Sequence, residues 1–139
     1  NMIYGMTGGQ LGPTTPMTAR TTTTRAGNIE EPFNIPYLMA AAGAVYVARW
    51  TVAQVRQLEK SITEALLKKG FSLVEVISLC PTYYVRLNKL GTALEMMKYY
   101  RENSVVRPDI DLKYADIKLG GQIVTGKFVD IERPSLFNI

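Results

Sequence analysis

The stretch Ala44–Leu79 reads AVYVARWTVAQVRQLEKSITEALLKKGFSLVEVISL, and its patterning decides the fold. Ala44 to Ala48 is a short apolar run whose branched and aromatic content suits a buried strand. Thr51 followed by Gln54 is a capping-box signature and predicts a helix from Val52 to Lys69. Within it Val55, Leu58, Ile62, Ala65 and Leu66 recur at helical spacing, Lys68 and Lys69 close the last turn, and Gly70 supplies the stop. Phe71–Leu79 is a second β-rich run. Strand, helix and strand in this order form a βαβ unit, which requires parallel pairing and a right-handed crossover. The fold class that follows is α/β, a parallel sheet with flanking helices.

Outward from this unit the signals continue. Pro36 suits a helix start, Tyr37–Ala42 is helix-compatible, and Gly43 ends that segment. Downstream, Leu90 to Glu102 predicts a shorter helix with Leu94, Met97 and Tyr100 on one side. Pro108 breaks the chain, and Ile123–Ile131 with Gly126 reads as a final strand or hairpin. Residues 1–34 are rich in Gly, Pro and Thr and read as a long loop, ordered by the chain itself or by a partner, after a short strand end at Met2–Tyr4. The chain thus divides into a loop over 1–34 and a βαβ-type core with a C-terminal segment over 35–139, with no internal repeat.

The 139 residues suit one domain, and 47% hydrophobic with 20% charged residues is the composition of a globular protein. A single cysteine excludes an intrachain disulfide, and the absence of histidine excludes a Ser-His-Asp triad, a Cys-His dyad and a His-ligated zinc site. The net charge of +4 is spread along the chain and reads as a solvated surface, so no nucleic-acid partner is expected. The longest apolar stretch, Ile35 to Ala48, is interrupted by Pro36 and Gly43, so no membrane span is expected. No signal peptide opens the chain, and its beginning at Asn1, directly in an apolar and glycine-rich segment, suggests that something natively precedes it.

Ligands of open parallel sheets gather beyond the carboxyl ends of the strands. That rule singles out the loop after Met2–Tyr4 and the loop containing Cys80-Pro81-Thr82. In the first, glycines let backbone N–H groups approach an anion, Thr hydroxyls add neutral hydrogen bonds, and an Asn oxygen is a hard ligand suited to magnesium. A diphosphate–magnesium site is chemically reasonable there. On residue types alone a tight glycine-rich turn accounts for the same stretch, because neither a Walker-type nor a dinucleotide-binding glycine motif is present. Likewise, a lone Cys at a strand end reads as a small buried hydrophobe.

A specific resemblance goes further. The run NMIYGMTGGQLGPTTP over Asn1–Pro16, the Thr-rich stretch leading to Gly27–Pro32, Cys80-Pro-Thr with Arg86 and Asn88, and the closing segment Gly121–Asp130 occur in the order found in one family. They resemble the C-terminal half of the thiamine-diphosphate-binding β subunit of 2-oxoacid:ferredoxin oxidoreductases, most of all the 2-oxoglutarate (KorB-type) enzymes. The resemblance implies that Asn1 ligates magnesium by its side chain and Ile3 by its main-chain carbonyl, and that Gly5, Met6 and Thr7 line the cofactor. Met6 would lie near the thiazolium and the bound 2-oxoacid. In family members with a four-iron (4Fe-4S) cluster, the Cys of Cys-Pro-Thr, here Cys80, supplies the fourth thiolate, with three others upstream.

The complete enzyme would decarboxylate a 2-oxoacid oxidatively on thiamine diphosphate, pass electrons through iron–sulfur centres to ferredoxin, and transfer the acyl group to coenzyme A. It would do so in the cytoplasm, together with an α subunit. No side-chain general acid or base is expected, and the fragment alone would be inactive. Two alternatives remain open at this level: the same enzyme class acting on pyruvate or a branched 2-oxoacid, and a non-catalytic α/β module that docks through its Thr/Pro-rich loop.

Overall fold

A computed structural model describes residues 1–78 and 80–134. Leu79, the last residue of the expected second strand, and residues 135–139 of the expected C-terminal segment lie outside them. The βαβ unit is present as β1 (Tyr46–Thr51), α2 (Val55–Leu67) and β2 (Ser72–Ile77), preceded by α1 (Ile35–Ala41). After a π-helical turn at Pro81–Val85 come α3 (Ala93–Asn103), β3 (Ser104–Val106), a 3-10 turn at Leu112–Tyr114 and β4 (Ile123–Asp130).

The sheet order is β2-β1-β4-β3. β1 runs parallel to β2 in the register Tyr46 opposite Ser72 through Thr51 opposite Ile77, and β3 runs parallel to β4. The α/β class therefore holds, but the sheet is mixed, because β4 lies antiparallel to β1. The connection between Val106 and Ile123, which holds only the 3-10 turn, is long enough to carry the chain back so that β4 starts beside β3 in the same sense. A register shift between Val47 and Ala48 accompanies that pairing.

Every residue of β1 is buried. Tyr46, Ala48 and Trp50 form one core with Leu58, Ala65 and Val74, consistent with alternate residues of a strand sharing a face. The expected helix face is only partly used. Leu58 and Ala65 pack, and so does Ser61, whose Oγ accepts a hydrogen bond from Trp50 Nε1 at 2.7 Å. Val55, Ile62 and Leu66 are exposed. The expected capping box is also displaced. Thr51 stays in β1, the Gln54 side chain accepts from Thr51 N and Oγ1, and the helix begins at Val55. Lys68 and Lys69 fall beyond its end.

A second core lies past the carboxyl end of β2, where Met2, Ile3, Ala19, Ile77 and Cys80 pack with Tyr84, Val85, Met96, Tyr100 and Ile123. Its position attaches the N-terminal loop to the sheet. The expected strand end at Met2–Tyr4 is reduced to one antiparallel bridge between Tyr4 and Gln10.

Candidate functional site

Both suspected loops converge beyond β2. Ser78 Oγ, just past the strand, donates to Asn1 Oδ1 at 3.1 Å. A Cβ built on Gly5 would stand 2.9 Å from Cys80 Sγ and 3.2 Å from Asn1 Nδ2, so these three residues meet where only glycine fits. Gly9, at φ +79°, presses against Tyr83, where a Cβ would come within 2.6 Å of the ring. The glycine loop thus rests on the turn that begins after Cys80.

Local hydrogen bonds hold that loop in shape. Tyr4 N donates to Gln10 O at 3.1 Å, Gly9 N to Tyr4 O at 2.8 Å, and Gly5 N to Ile3 O at 2.9 Å. Thr7 Oγ1 donates to Gln10 Oε1 at 2.8 Å, while Gln10 Nε2 donates back to Thr7 O at 2.7 Å. The Thr7 hydroxyl is therefore committed to closing the turn. Ile3 is buried, and Met6 is fully exposed at the loop's tip.

The remainder of residues 1–34 is knitted by short polar side chains. Thr15, fully buried, donates to Met2 O at 2.8 Å and accepts from Gly12 N at 2.9 Å. Thr22 N and Oγ1 reach Gly9 O and Gly8 O at 2.8 and 2.9 Å. Buried Asn28 donates to Thr15 O and Glu30 O, each at 2.9 Å. These bonds satisfy buried backbone groups that have no sheet or helix ladder to enter.

Beside Asn1 opens a small polar cleft whose lining includes Asn34, Arg49, Glu75 and Asp116. Arg49, almost wholly buried, donates from Nε to Glu75 Oε2 at 2.6 Å and from Nη1 to Ala115 O at 2.5 Å. On the other side, burial drives the Tyr84 and Tyr100 phenols far above their ordinary range, so both stay protonated. Tyr100 uses its proton to hold Ser78 O at 2.9 Å, fixing the strand end on which Asn1 leans.

Magnesium takes hard oxygen ligands, and Asn1 Oδ1 and Ile3 O are of that kind, each accepting one bond and retaining a second lone pair. Among the described residues no three His, Cys, Asp or Glu side chains stand together to hold a metal, so further ligands would come from a diphosphate, from water or from other polypeptide. Gly5 leaves no gap of its own, since Cys80 Sγ and Asn1 Nδ2 fill the space beside it, and its part is to let the loop lie close against both. A four-iron cluster does not fit this chain alone, because it needs four thiolates and Cys80 is the only cysteine.

The sequence reading thus named Asn1, Gly5 and Cys80, which come together, Ile3 beneath them, and Met6 and Thr7 on the adjoining turn. It assigned no part to Ser78, Tyr83 or the Arg49–Glu75 pair. Their signals were available: Ser78 directly follows a strand end, and Arg49 and Glu75 are the only charges in β1 and β2.

Comparison with known proteins agrees with this architecture. Residues 1–76 match the family described as thiamine pyrophosphate enzyme, C-terminal TPP binding domain. The chain is 46% identical over 136 residues to 2-oxoglutarate synthase subunit KorB of Methanothermobacter marburgensis, covering 98% of this chain and 47% of that protein. To the subunit of the same name from Methanocaldococcus jannaschii it is 47% identical over 135 residues, covering 96% and 49%. A solved structure of 2-oxoglutarate:ferredoxin oxidoreductase from Magnetococcus marinus, with 2-oxoglutarate, coenzyme A and succinyl-CoA bound, superposes with a TM-score of 0.76 at 29% identity, covering 99% of this chain and 47% of that one. The chain spans about half the length of the curated relatives it matches. By the match over residues 1–76, the chain belongs to the thiamine pyrophosphate enzymes, within their C-terminal TPP-binding domain.

Proposed function

We propose that this chain supplies one half of a thiamine-diphosphate site in a 2-oxoacid:ferredoxin oxidoreductase that oxidatively decarboxylates 2-oxoglutarate in the cytoplasm. The observation that carries the reading is the convergence of Asn1, Gly5 and Cys80 at one strand end. When bound, thiamine diphosphate supplies the carbon-centred chemistry of decarboxylation. The residues here bind and orient. Asn1 Oδ1 and the Ile3 carbonyl offer oxygens to Mg2+, Gly5 lets the loop that lines the cofactor close onto Asn1 and Cys80, and Thr7 holds the turn that presents Met6 to the 2-oxoacid. Ser78 and Tyr100 keep Asn1 in place. Cys80 would join cysteines of other polypeptide around a 4Fe-4S cluster. Coenzyme A as acyl acceptor, ferredoxin as electron acceptor and an α subunit complete the assignment, in keeping with the names of the relatives.

Thermal denaturation of the full-length subunit tests it. Thiamine diphosphate with Mg2+ should raise the melting temperature, by an amount corresponding to about 2.7 kcal/mol at a hundredfold excess over Kd. Asn1→Ala should abolish most of the magnesium-dependent part. No stabilisation of the wild type would instead support a non-catalytic module.

A further inference from the structure

The sequence scatters its cations, but the fold brings Arg20 and Lys89, far apart in the chain, to one depression. Residues 1–29 and 76–94 contain Arg20, Arg25, Arg86 and Lys89 and not one Asp or Glu. Asn88 clamps these two stretches together. Its Oδ1 accepts from Arg20 N at 2.6 Å, and its Nδ2 donates to Arg20 O at 3.0 Å and to Tyr84 O at 2.9 Å. Around the clamp lies a depression of about 190 Å3 lined by Thr18, Arg20, Leu87, Asn88, Lys89 and Leu119. Arg86, three residues before Lys89, holds its guanidinium 5.9 Å from the centre of the Tyr83 ring. Arg20, Arg86 and Lys89 are exposed, and none forms an ion pair among the described residues. Glu31 and Asp116 line the adjoining groove, which shares Thr18 and Leu119, so the positive face has an acidic border on that side only among these linings.

We propose that this face docks the acidic surface of the electron-carrier protein that the enzyme reduces, a ferredoxin; the proposal rests on the functional reading above. The distribution of side chains selects this occupant over a permanent subunit. Permanent interfaces collect apolar residues and deplete charge at their centres, whereas weak redox encounters are small and are steered by charge. Here the depression offers cations and two half-buried leucines. Among the described residues, none of the large exposed apolar residues lines the depression; Met17 stands on the adjoining groove, Ile29 and Leu94 elsewhere in the same stretches, and Ile62, Leu66, Leu67 and Phe71 on α2 and the turn after it. Unpaired cations on one face raise the local concentration of an acidic partner and orient it as it approaches. The Arg20 backbone is fixed by Asn88, so the two sides of the depression hold their spacing without a ligand.

The test uses the full-length subunit assembled with its partners, assayed with 2-oxoglutarate, coenzyme A and either ferredoxin or methyl viologen as acceptor. Arg20→Glu with Lys89→Glu should raise the KM for ferredoxin, and the Kd measured directly by titration calorimetry, by at least about tenfold at low ionic strength. The difference from wild type should shrink in 0.5 M NaCl, where screening is strong. Methyl viologen reduction should be unchanged. Arg20→Gln with Lys89→Gln should give an intermediate value, and Arg56→Glu on α2 should have no effect. A ferredoxin KM and Kd unmoved by charge reversal would overturn the docking proposal while leaving the enzyme assignment standing. Dissociation of the assembly by the same variants would also overturn it, since the face would then belong to a subunit contact. A wild-type complex unable to reduce either acceptor would remove the functional reading and this inference with it.

Discussion

At the scale of single residues, the strictest constraint in the site is Gly5. Its backbone φ is not of the kind that demands glycine, and the restriction is one of space: Cys80 Sγ and Asn1 Nδ2 already occupy the volume a methyl group would enter. Gly5→Ala should therefore destabilise the subunit by about 1–3 kcal/mol, the usual range for overpacking a filled site. In a Cys80→Ala background, where the sulfur is gone, the same substitution should cost distinctly less. Urea denaturation of the four proteins gives this coupling as a double-mutant cycle. An equal cost in both backgrounds would mean that the glycine loop does not lie on Cys80. Glycine, Asn and Cys each have several ordinary uses, so residue types alone left a plain turn and a buried thiol open, and it took the fold to bring the three together. The Arg49–Glu75 pair was more nearly legible, because a charge at the fourth position of each of two parallel strands places the two side by side when the strands pair in register.

Among the elements, the βαβ unit was readable because its strands are short and apolar and its helix is long and periodic. Its boundaries moved where tertiary pairing outweighed local propensity. Thr51, a good helix cap, is drawn into β1 opposite Ile77, and the helix starts after it. The π-helical turn at Pro81–Val85 and the three-residue β3 were not legible, since neither is long enough to show a period. The helix face differed for another reason. Hydrophobicity nominated Leu66, but the Trp50 indole on β1 needs a hydrogen-bond acceptor, and Ser61 is the helix residue that meets it. This reverses the expected ranking of substitutions on α2. Ser61→Ala leaves the indole N–H buried without a partner and should cost about 1–3 kcal/mol, whereas Leu66→Ser, at a position 81% exposed, should stay within about 0.5 kcal/mol in the isolated subunit. Thermal denaturation of the two variants decides between the polar contact and the apolar stripe. A larger loss at Leu66 would restore the stripe as the packing face.

For the whole molecule, the two cores leave the far end of the sheet to be closed by charge. Lys68, just past α2, lies 2.6 Å from Asp130 and 2.5 Å from Glu132, while Lys127 on β4 lies 2.6 Å from Asp130 and 3.2 Å from Glu64. Tyr46 OH also donates to Glu64, at 2.9 Å, so β1, α2 and β4 are tied at one corner. Both carboxylates titrate below their ordinary values, Glu64 chiefly through the hydrogen bond from Tyr46 and Asp130 chiefly through those from Lys127 and Lys68. A carboxyl group with a depressed folded pKa takes up its proton later in the native state than in the unfolded chain. The stability it contributes is thus complete above the ordinary carboxylate range and is lost as pH falls through the folded value. The melting temperature of the subunit should accordingly decline from about pH 5 downward. Glu64→Gln with Asp130→Asn should lower it by a few degrees at pH 7 and by less at pH 3, where wild type has already lost this contribution. Because these groups remain partly exposed to solvent, 1 M NaCl should narrow the gap at pH 7 as well. A gap of equal size at both pH values and in high salt would assign the effect to lost hydrogen-bond geometry, with the charges contributing nothing of their own.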